Sequence, residues 1–124
     1  MATTVPVHLL VIDDDKRVRE VIRDIIIGFG YEVEVAADGA EGLVKFRQTR
    51  FQVVITDLVM PKLNGLQVAA AIRDLDPTVP VLLLTGSADR AAVDKARRLG
   101  LTILRKPILI PTLRAAIEAA LRGE

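Results

Sequence analysis

The chain has 124 residues, of which 51% are apolar and 3% aromatic, with no cysteine and a formal charge of +1. That length suits one domain, the missing thiols exclude disulfides and thiolate metal centres, and few aromatics without a dense basic stripe argue against nucleic-acid binding. No apolar run approaches the roughly 20 residues of a membrane helix, and residues 1–6 lack the basic-then-apolar pattern of a signal peptide, so a cytoplasmic protein is expected.

Five short aliphatic runs alternate with helical patterns. Residues 7–12 predict a first strand, closed by Asp13, Asp14 and Asp15, with Asp15 placed to cap the next helix. That helix is expected over 16–27, where Val18, Val21, Ile22 and Ile25 recur at one-face spacing until Gly28 and Gly30 break it. A second strand spans 31–36, and Asp38 and Gly39 open a helix whose large apolar contacts are Leu43 and Phe46.

The third strand covers 51–56 and delivers Asp57 at its end, before a turn-rich stretch holding Pro61, Asn64 and Gly65. A third helix over 66–74 leads through Pro77 and Pro80 to a fourth strand over 81–84, which ends in Thr85 and Gly86. Helix four is expected over 89–99, with Val93 and Leu99 its larger apolar residues among Ala88, Ala91, Ala92 and Ala96. Strand five spans 101–105, just before Lys106, and Pro111 suits the first turn of a fifth helix over 111–121. Repeated strand–helix alternation predicts a doubly wound α/β domain with a parallel sheet and right-handed crossovers. A single domain without an appended output domain is expected.

Polar residues collect where strands end: Asp13 and Asp14, Asp57, Thr85 and Lys106. Open α/β sheets bind ligands outside the carboxyl ends of their strands. Three carboxylates gathered there repel, at about 4 kcal/mol for a pair 4 Å apart in an effective dielectric near 20. Such a cluster recruits a cation, and oxygen donors without His or Cys suit Mg²⁺. A carboxylate can itself accept a phosphoryl group. Asp57 is placed for that role, because the acidic pair on strand one must stay ionised to hold the metal. Lys106, the Thr85 hydroxyl and the backbone N–H of Gly86 would then meet the phosphoryl oxygens. Charge is also uneven along the chain: residues 1–88 carry 9 basic against 12 acidic side chains, and residues 89–124 carry 8 against 4. That unevenness fits either two ordinary solvated surfaces or a basic face, over residues 89–124, offered to an acidic partner.

The runs Val11-Ile12-Asp13-Asp14-Asp15, Thr56-Asp57-Leu58-Val59-Met60-Pro61 with Asn64-Gly65, Leu84-Thr85-Gly86 and Lys106-Pro107 resemble the receiver domains of bacterial two-component response regulators. The resemblance covers essentially the whole chain. It implies a flavodoxin-like (βα)5 fold with strand order 2-1-3-4-5. It also implies roles: Asp57 as phosphoacceptor; Asp14 and Asp57 as direct Mg²⁺ ligands; Asp13 as a ligand through water; Val59 as a ligand through its carbonyl. Lys106 would pair with the acyl phosphate, the Lys106–Pro107 bond would be cis, and Thr85 would supply the switch hydroxyl. The implied partners are a histidine kinase or histidine phosphotransfer domain near helix one, and a downstream protein on the helix four–strand five–helix five face. No nucleic acid or membrane partner is implied, and the chain would be a monomer or weak dimer. It would be no enzyme, promoting only its own phosphorylation and dephosphorylation.

Two positions depart from the family pattern. Ile103 stands at the switch position where an aromatic ring is usual, and Ile108 follows Pro107 where Phe is common. Val59 is apolar where related domains often carry a polar side chain. Two other readings fit parts of the chain. A haloacid-dehalogenase-like phosphohydrolase shares the order that Asp13, Asp15, Thr85 and Lys106 imitate, although it leaves Asp57 without a role and puts Arg17 where Thr or Val is usual. The other is a receiver-like binding module that is never phosphorylated.

Overall fold

The computed structural model describes residues 6–87 and 89–124; residues 1–5, and Ala88 from the alanine-rich surround of helix four, lie outside it. Strands and helices alternate as β1 (His8–Ile12), α1 (Lys16–Gly28), β2 (Glu32–Ala36), α2 (Gly39–Gln48), β3 (Val53–Asp57), α3 (Gly65–Leu75), β4 (Val81–Thr85), α4 (Arg90–Arg98), β5 (Thr102–Arg105) and α5 (Ile110–Leu121). All strand pairs are parallel, in the order β2-β1-β3-β4-β5. This is the flavodoxin-like (βα)5 arrangement. The order reverses between β1 and β3, and the carboxyl ends of those strands flank the crevice where such sheets bind ligands.

The inner strands β1, β3 and β4 are buried on both faces, which is why they read as near-continuous aliphatic runs, while the edge strands keep exposed Glu32, Thr102 and Arg105. Leu9, Val11, Val53, Ile55, Leu82 and Leu84 pack towards α1 and α5. Leu10, Ile12, Val54 and Val81 point the other way, towards α2 and α3. A smaller cluster of Leu58, Leu66, Leu83 and Ala96, with Ile103 against it, lies under α4. In α4 the buried side chain is an alanine, Ala96, so this helix is held by less apolar area than α1, which buries Ile22 and Ile26.

The starts of α1 and α2 follow the predicted caps, and α3 has a cap in Asn64, a residue expected in a turn. The Asp15 carboxylate accepts from the N–H groups of Arg17 and Val18, at 2.9 and 3.3 Å. Asp38 accepts from Glu41 N–H at 2.8 Å, and Asn64 and Gln67 cap α3 reciprocally. Several details differ from the sequence expectations. Val21 is 57% exposed and does not belong to the buried stripe of α1. That stripe runs Val18, Ile22, Ile25, Ile26, Phe29 at helical spacing, and Val21 lies about 100° round from Ile22. Gly28 is the last residue of the helix and breaks nothing; the chain turns at Gly30, whose φ of +96° favours a residue without a Cβ.

Asp57 and Thr85 are the final residues of β3 and β4, each one position further into the sheet than expected, because the ladder continues through the pairs Asp57–Leu84 and Thr85–Arg105. Phe51 precedes β3, buried against the rings of His8 and Phe46. Val7, Asp89, Leu99 and Leu101 likewise flank their elements, whereas α3 starts at Gly65 and α5 at Ile110, each one residue earlier than expected.

Candidate functional site

Asp13 follows the last residue of β1, Asp57 ends β3, and Lys106 follows β5, so three strands deliver them to one edge. One carboxylate oxygen from each of Asp13, Asp14 and Asp57 lies within 4.8 Å of the others. Asp13 and Asp57 are buried and Asp14 is exposed, so the cluster opens to solvent on one side. Lys106 reaches in from the β5 side, its Nζ 3.2 Å from Asp57 Oδ1 and 3.7 Å from Asp13 Oδ2. The Lys106–Pro107 bond is cis.

The geometry is electrostatically incomplete. Three carboxylates face one ammonium group, a deficit of two charges that a divalent cation balances. Asp13 Oδ1 accepts from Asp15 N–H at 2.9 Å, but Asp13 Oδ2 is buried without a hydrogen-bond partner. Buried polar atoms are normally hydrogen-bonded, so an oxygen without such a partner, 3.7 Å from Lys106 Nζ and beside two further carboxylates, fits a bound cation. Burial raises the pKa of Asp13 above the carboxylate norm; the Asp15 hydrogen bond opposes this, the Asp57 charge adds to it, and Lys106 again opposes it. An all-oxygen donor set fits a hard divalent cation.

The remaining predicted residues are arranged around this cluster. Thr85 is buried, but its hydroxyl is turned into its own loop, donating to the Ser87 carbonyl and accepting from Ser87 N–H at 3.1 Å. Gly86 is exposed, and a Cβ there would meet nothing within 4 Å, so glycine is not required for space. Val59 is 70% exposed, two residues beyond Asp57, and presents an apolar surface there. Ile103 on β5 pairs with Leu83 and is half-buried beneath α4. The Asp15 carboxylate is engaged as the α1 cap, so it does not pair with Asp13 in the way a dehalogenase-like site needs.

Two contacts were not legible in the sequence. Arg19 Nη1 donates to the Asp13 carbonyl at 2.7 Å, although at its position in α1 it reads as an ordinary solvated side chain. Ser87 holds the Thr85 hydroxyl, and its only sequence signal is a small polar residue two places on. Gly65, read as a turn residue, is a matter of close approach. A Cβ there would collide with the Asp57 carbonyl and lie 2.9 Å from Leu58 Cα, while Gly65 N–H bonds the Leu58 carbonyl at 2.8 Å. The start of α3 thus rests directly on the chain at Asp57.

The family model described as the response regulator receiver domain matches residues 9–118. In sequence the chain is 38% identical over 122 residues to the response regulator MprA of Mycobacterium sp. (strain KMS), an alignment covering 94% of this chain and 51% of MprA. The chain therefore spans about half the length of that curated relative. Among solved structures it is similar to the chemotaxis protein CheY4 of Vibrio cholerae, with 32% identity and a TM-score of 0.89 over 94% of this chain and 100% of that one. A response regulator receiver domain protein from Clostridium thermocellum gives 34% identity and a TM-score of 0.89, covering 94% of each chain.

Proposed function

We propose that this chain, which belongs to the response regulator receiver family, is a phosphorylation-dependent signalling switch that accepts a phosphoryl group on Asp57. The observation that carries this reading is the convergence of Asp13, Asp14, Asp57 and Lys106 at one sheet edge, with Asp13 Oδ2 buried without a hydrogen-bond partner. In the reaction an Asp57 carboxylate oxygen attacks phosphorus, the bond from phosphorus to the donor breaks, and the donor leaves with the electron pair. With a phosphohistidine donor the leaving group is the imidazole; with acetyl phosphate it is acetate. The product is a mixed anhydride on Asp57. Attack of one anion on another needs neutralisation, and Lys106 beside Asp57 supplies one positive charge. Asp13, Asp14 and Asp57, with the Val59 carbonyl by family resemblance, would hold Mg²⁺, which supplies the remaining charge on the phosphoryl oxygens. This accounts for the metal-site carboxylates without asking for turnover, so the chain acts as a signalling domain, not as a phosphohydrolase.

The phosphodonor is a histidine kinase or histidine phosphotransfer domain. Beside the acidic cluster runs an apolar groove lined by Val18, Val21, Ile25, Pro107, Ile108 and Lys106. Lys106 belongs to both groove and site, so a donor helix seated there brings its phosphohistidine to Asp57. The exposed Val21 is thereby given a use outside the core.

The signal leaves through α4, β5 and α5. A phosphate on Asp57 adds about −1.5 to −2 charges, and the Thr85 hydroxyl would leave Ser87 to meet it. The loop from Thr85 leads directly to Asp89, the α4 cap, which accepts from Ala92 N–H at 2.8 Å. Thin apolar anchoring makes α4 the element most easily shifted. Its exposed Arg90, Lys95, Arg97 and Arg98 suit an acidic downstream protein. No helix among the described residues is long and apolar enough to cross a membrane, and a cytoplasmic site of action fits the proposed partners. Amide exchange tests the switch. Mg²⁺ with beryllofluoride, a phosphoryl mimic, should alter exchange across residues 86–111, and an unchanged profile there would contradict it.

A further inference from the structure

We propose that Arg19 is a positioning residue for the acidic pair, fixing the peptide unit that joins Asp13 to Asp14 in the orientation a divalent cation requires. The inference rests on the metal-assisted reading of the site given above. β1 ends at Ile12, so the Asp13 backbone lies just beyond the regular ladder. Its N–H still finds a strand partner, the Ala36 carbonyl at 3.2 Å. Its carbonyl instead takes a side-chain donor, Arg19 Nη1, at 2.7 Å.

That carbonyl belongs to the peptide plane whose nitrogen is Asp14's. Rotating the plane swings one carboxylate relative to the other, so whatever holds the carbonyl sets their spacing. The Asp13 side chain is fixed separately, through the Asp15 N–H on Oδ1, which leaves Oδ2 turned to the site. The Asp15 carboxylate in turn caps α1, and Arg19 projects from the first turns of the same helix. The Asp15 carboxylate and the Arg19 guanidinium therefore both tie the loop to α1, and the guanidinium anchors the ligand pair to that helix. Among the described residues Arg19 forms no ion pair, so the Asp13 carbonyl is the partner the structure gives its guanidinium.

Simple charge compensation predicts the opposite of positioning. If Arg19 acted only as a nearby positive charge, removing it would strengthen cation binding. If it positions the ligands, removing it weakens binding, by roughly tenfold as for other partners that orient metal ligands. The experiment is calorimetric titration of Mg²⁺ into the whole chain for the wild type, Arg19→Met and Arg19→Lys, with thermal unfolding to verify the fold. Arg19→Met is expected to bind about tenfold more weakly, and Arg19→Lys, which keeps the charge and a donor, to recover most of the loss. Should Arg19→Met fail to fold, Arg19→Gln decides on the same criterion. Amide exchange at residues 13–15 without metal should quicken in the neutral variants and not in Arg19→Lys. Equal or tighter Mg²⁺ binding by a folded neutral variant overturns the proposal, as does unchanged exchange. A wild type that binds no Mg²⁺ removes the metal-assisted reading itself, and this inference with it.

Discussion

The Thr85 hydroxyl is bound to Ser87, not to the acidic cluster: it donates to the Ser87 carbonyl and accepts from the Ser87 N–H at 3.1 Å. Thr85 and Ser87 are therefore tied to each other. On the proposed switch, Thr85 would turn to a phosphoryl oxygen and give up both contacts. Thr85→Ala should still take a phosphoryl group on Asp57, because Lys106 and the carboxylates are untouched. It should lose most of the exchange change across α4 that the wild type shows with Mg²⁺ and beryllofluoride. A full response in Thr85→Ala would mean that α4 moves by another route.

Asp13 gives a stability prediction with a definite sign. Its folded pKa lies above the unfolded value, chiefly through burial. The folded state then holds the proton longer, so stability is lost as pH rises from the ordinary carboxylate value through the raised one, and the penalty persists above it. Without divalent cation at pH 7, Asp13→Asn should be more stable than the wild type, by about 1–3 kcal/mol, the scale for a buried unsatisfied polar group. The gap should close as pH falls below the raised value. Mg²⁺ at 100 times its dissociation constant should return about 2.7 kcal/mol to the wild type and less to the variant. Urea unfolding with and without Mg²⁺ reads both effects.

Gly65 and Gly86 should respond oppositely to alanine. The first has no room for a Cβ against the Asp57 carbonyl, and the second has open space. Gly65→Ala should cost about 1–3 kcal/mol, as overpacking does, and slow phosphorylation by displacing the chain at Asp57. Gly86→Ala should stay within about 0.5 kcal/mol. Denaturant midpoints of the two variants make the comparison.

Arg73 ties α3 to the far end of α4. Its Nε donates to the Leu99 carbonyl at 2.8 Å and its Nη1 to the Val79 carbonyl. Leu99 is the C-cap of α4, so that end is held to α3, while on the proposed switch the Asp89 end would follow the Thr85 loop. Arg73→Met leaves two carbonyls without this donor and should cost about 1–3 kcal/mol. Amide exchange should quicken around residues 99–101 more than at the start of α4, and a uniform change would argue against a pinned end.

Much of this was legible because strand order and strand ends carry the chemistry. Once aliphatic runs alternate with helical patterns, the residue at the end of each run falls at one sheet edge, where Asp13, Asp57 and Lys106 meet and Thr85 ends the neighbouring strand. The caps Asp15 and Asp38 were equally plain, since they act on N–H groups only two or three residues away, whereas Asn64 read as a turn residue. What was hidden depends on the path of the backbone. Val21 satisfied an apolar pattern yet faces a groove. Arg19 reaches a carbonyl whose position is set by where β1 stops, and the need for Gly65 arises from how closely α3 approaches β3. Ile103, one of the departures from the family pattern, is half-buried and packs against the cluster under α4.

The central claim is covalent, and intact mass spectrometry after incubation with acetyl phosphate and Mg²⁺ tests it most directly. The wild type should gain roughly 80 Da, one phosphoryl group, and Asp57→Asn should gain nothing, nor should the wild type in excess chelator. An unmodified wild type, or an adduct that survives Asp57→Asn, would contradict the account.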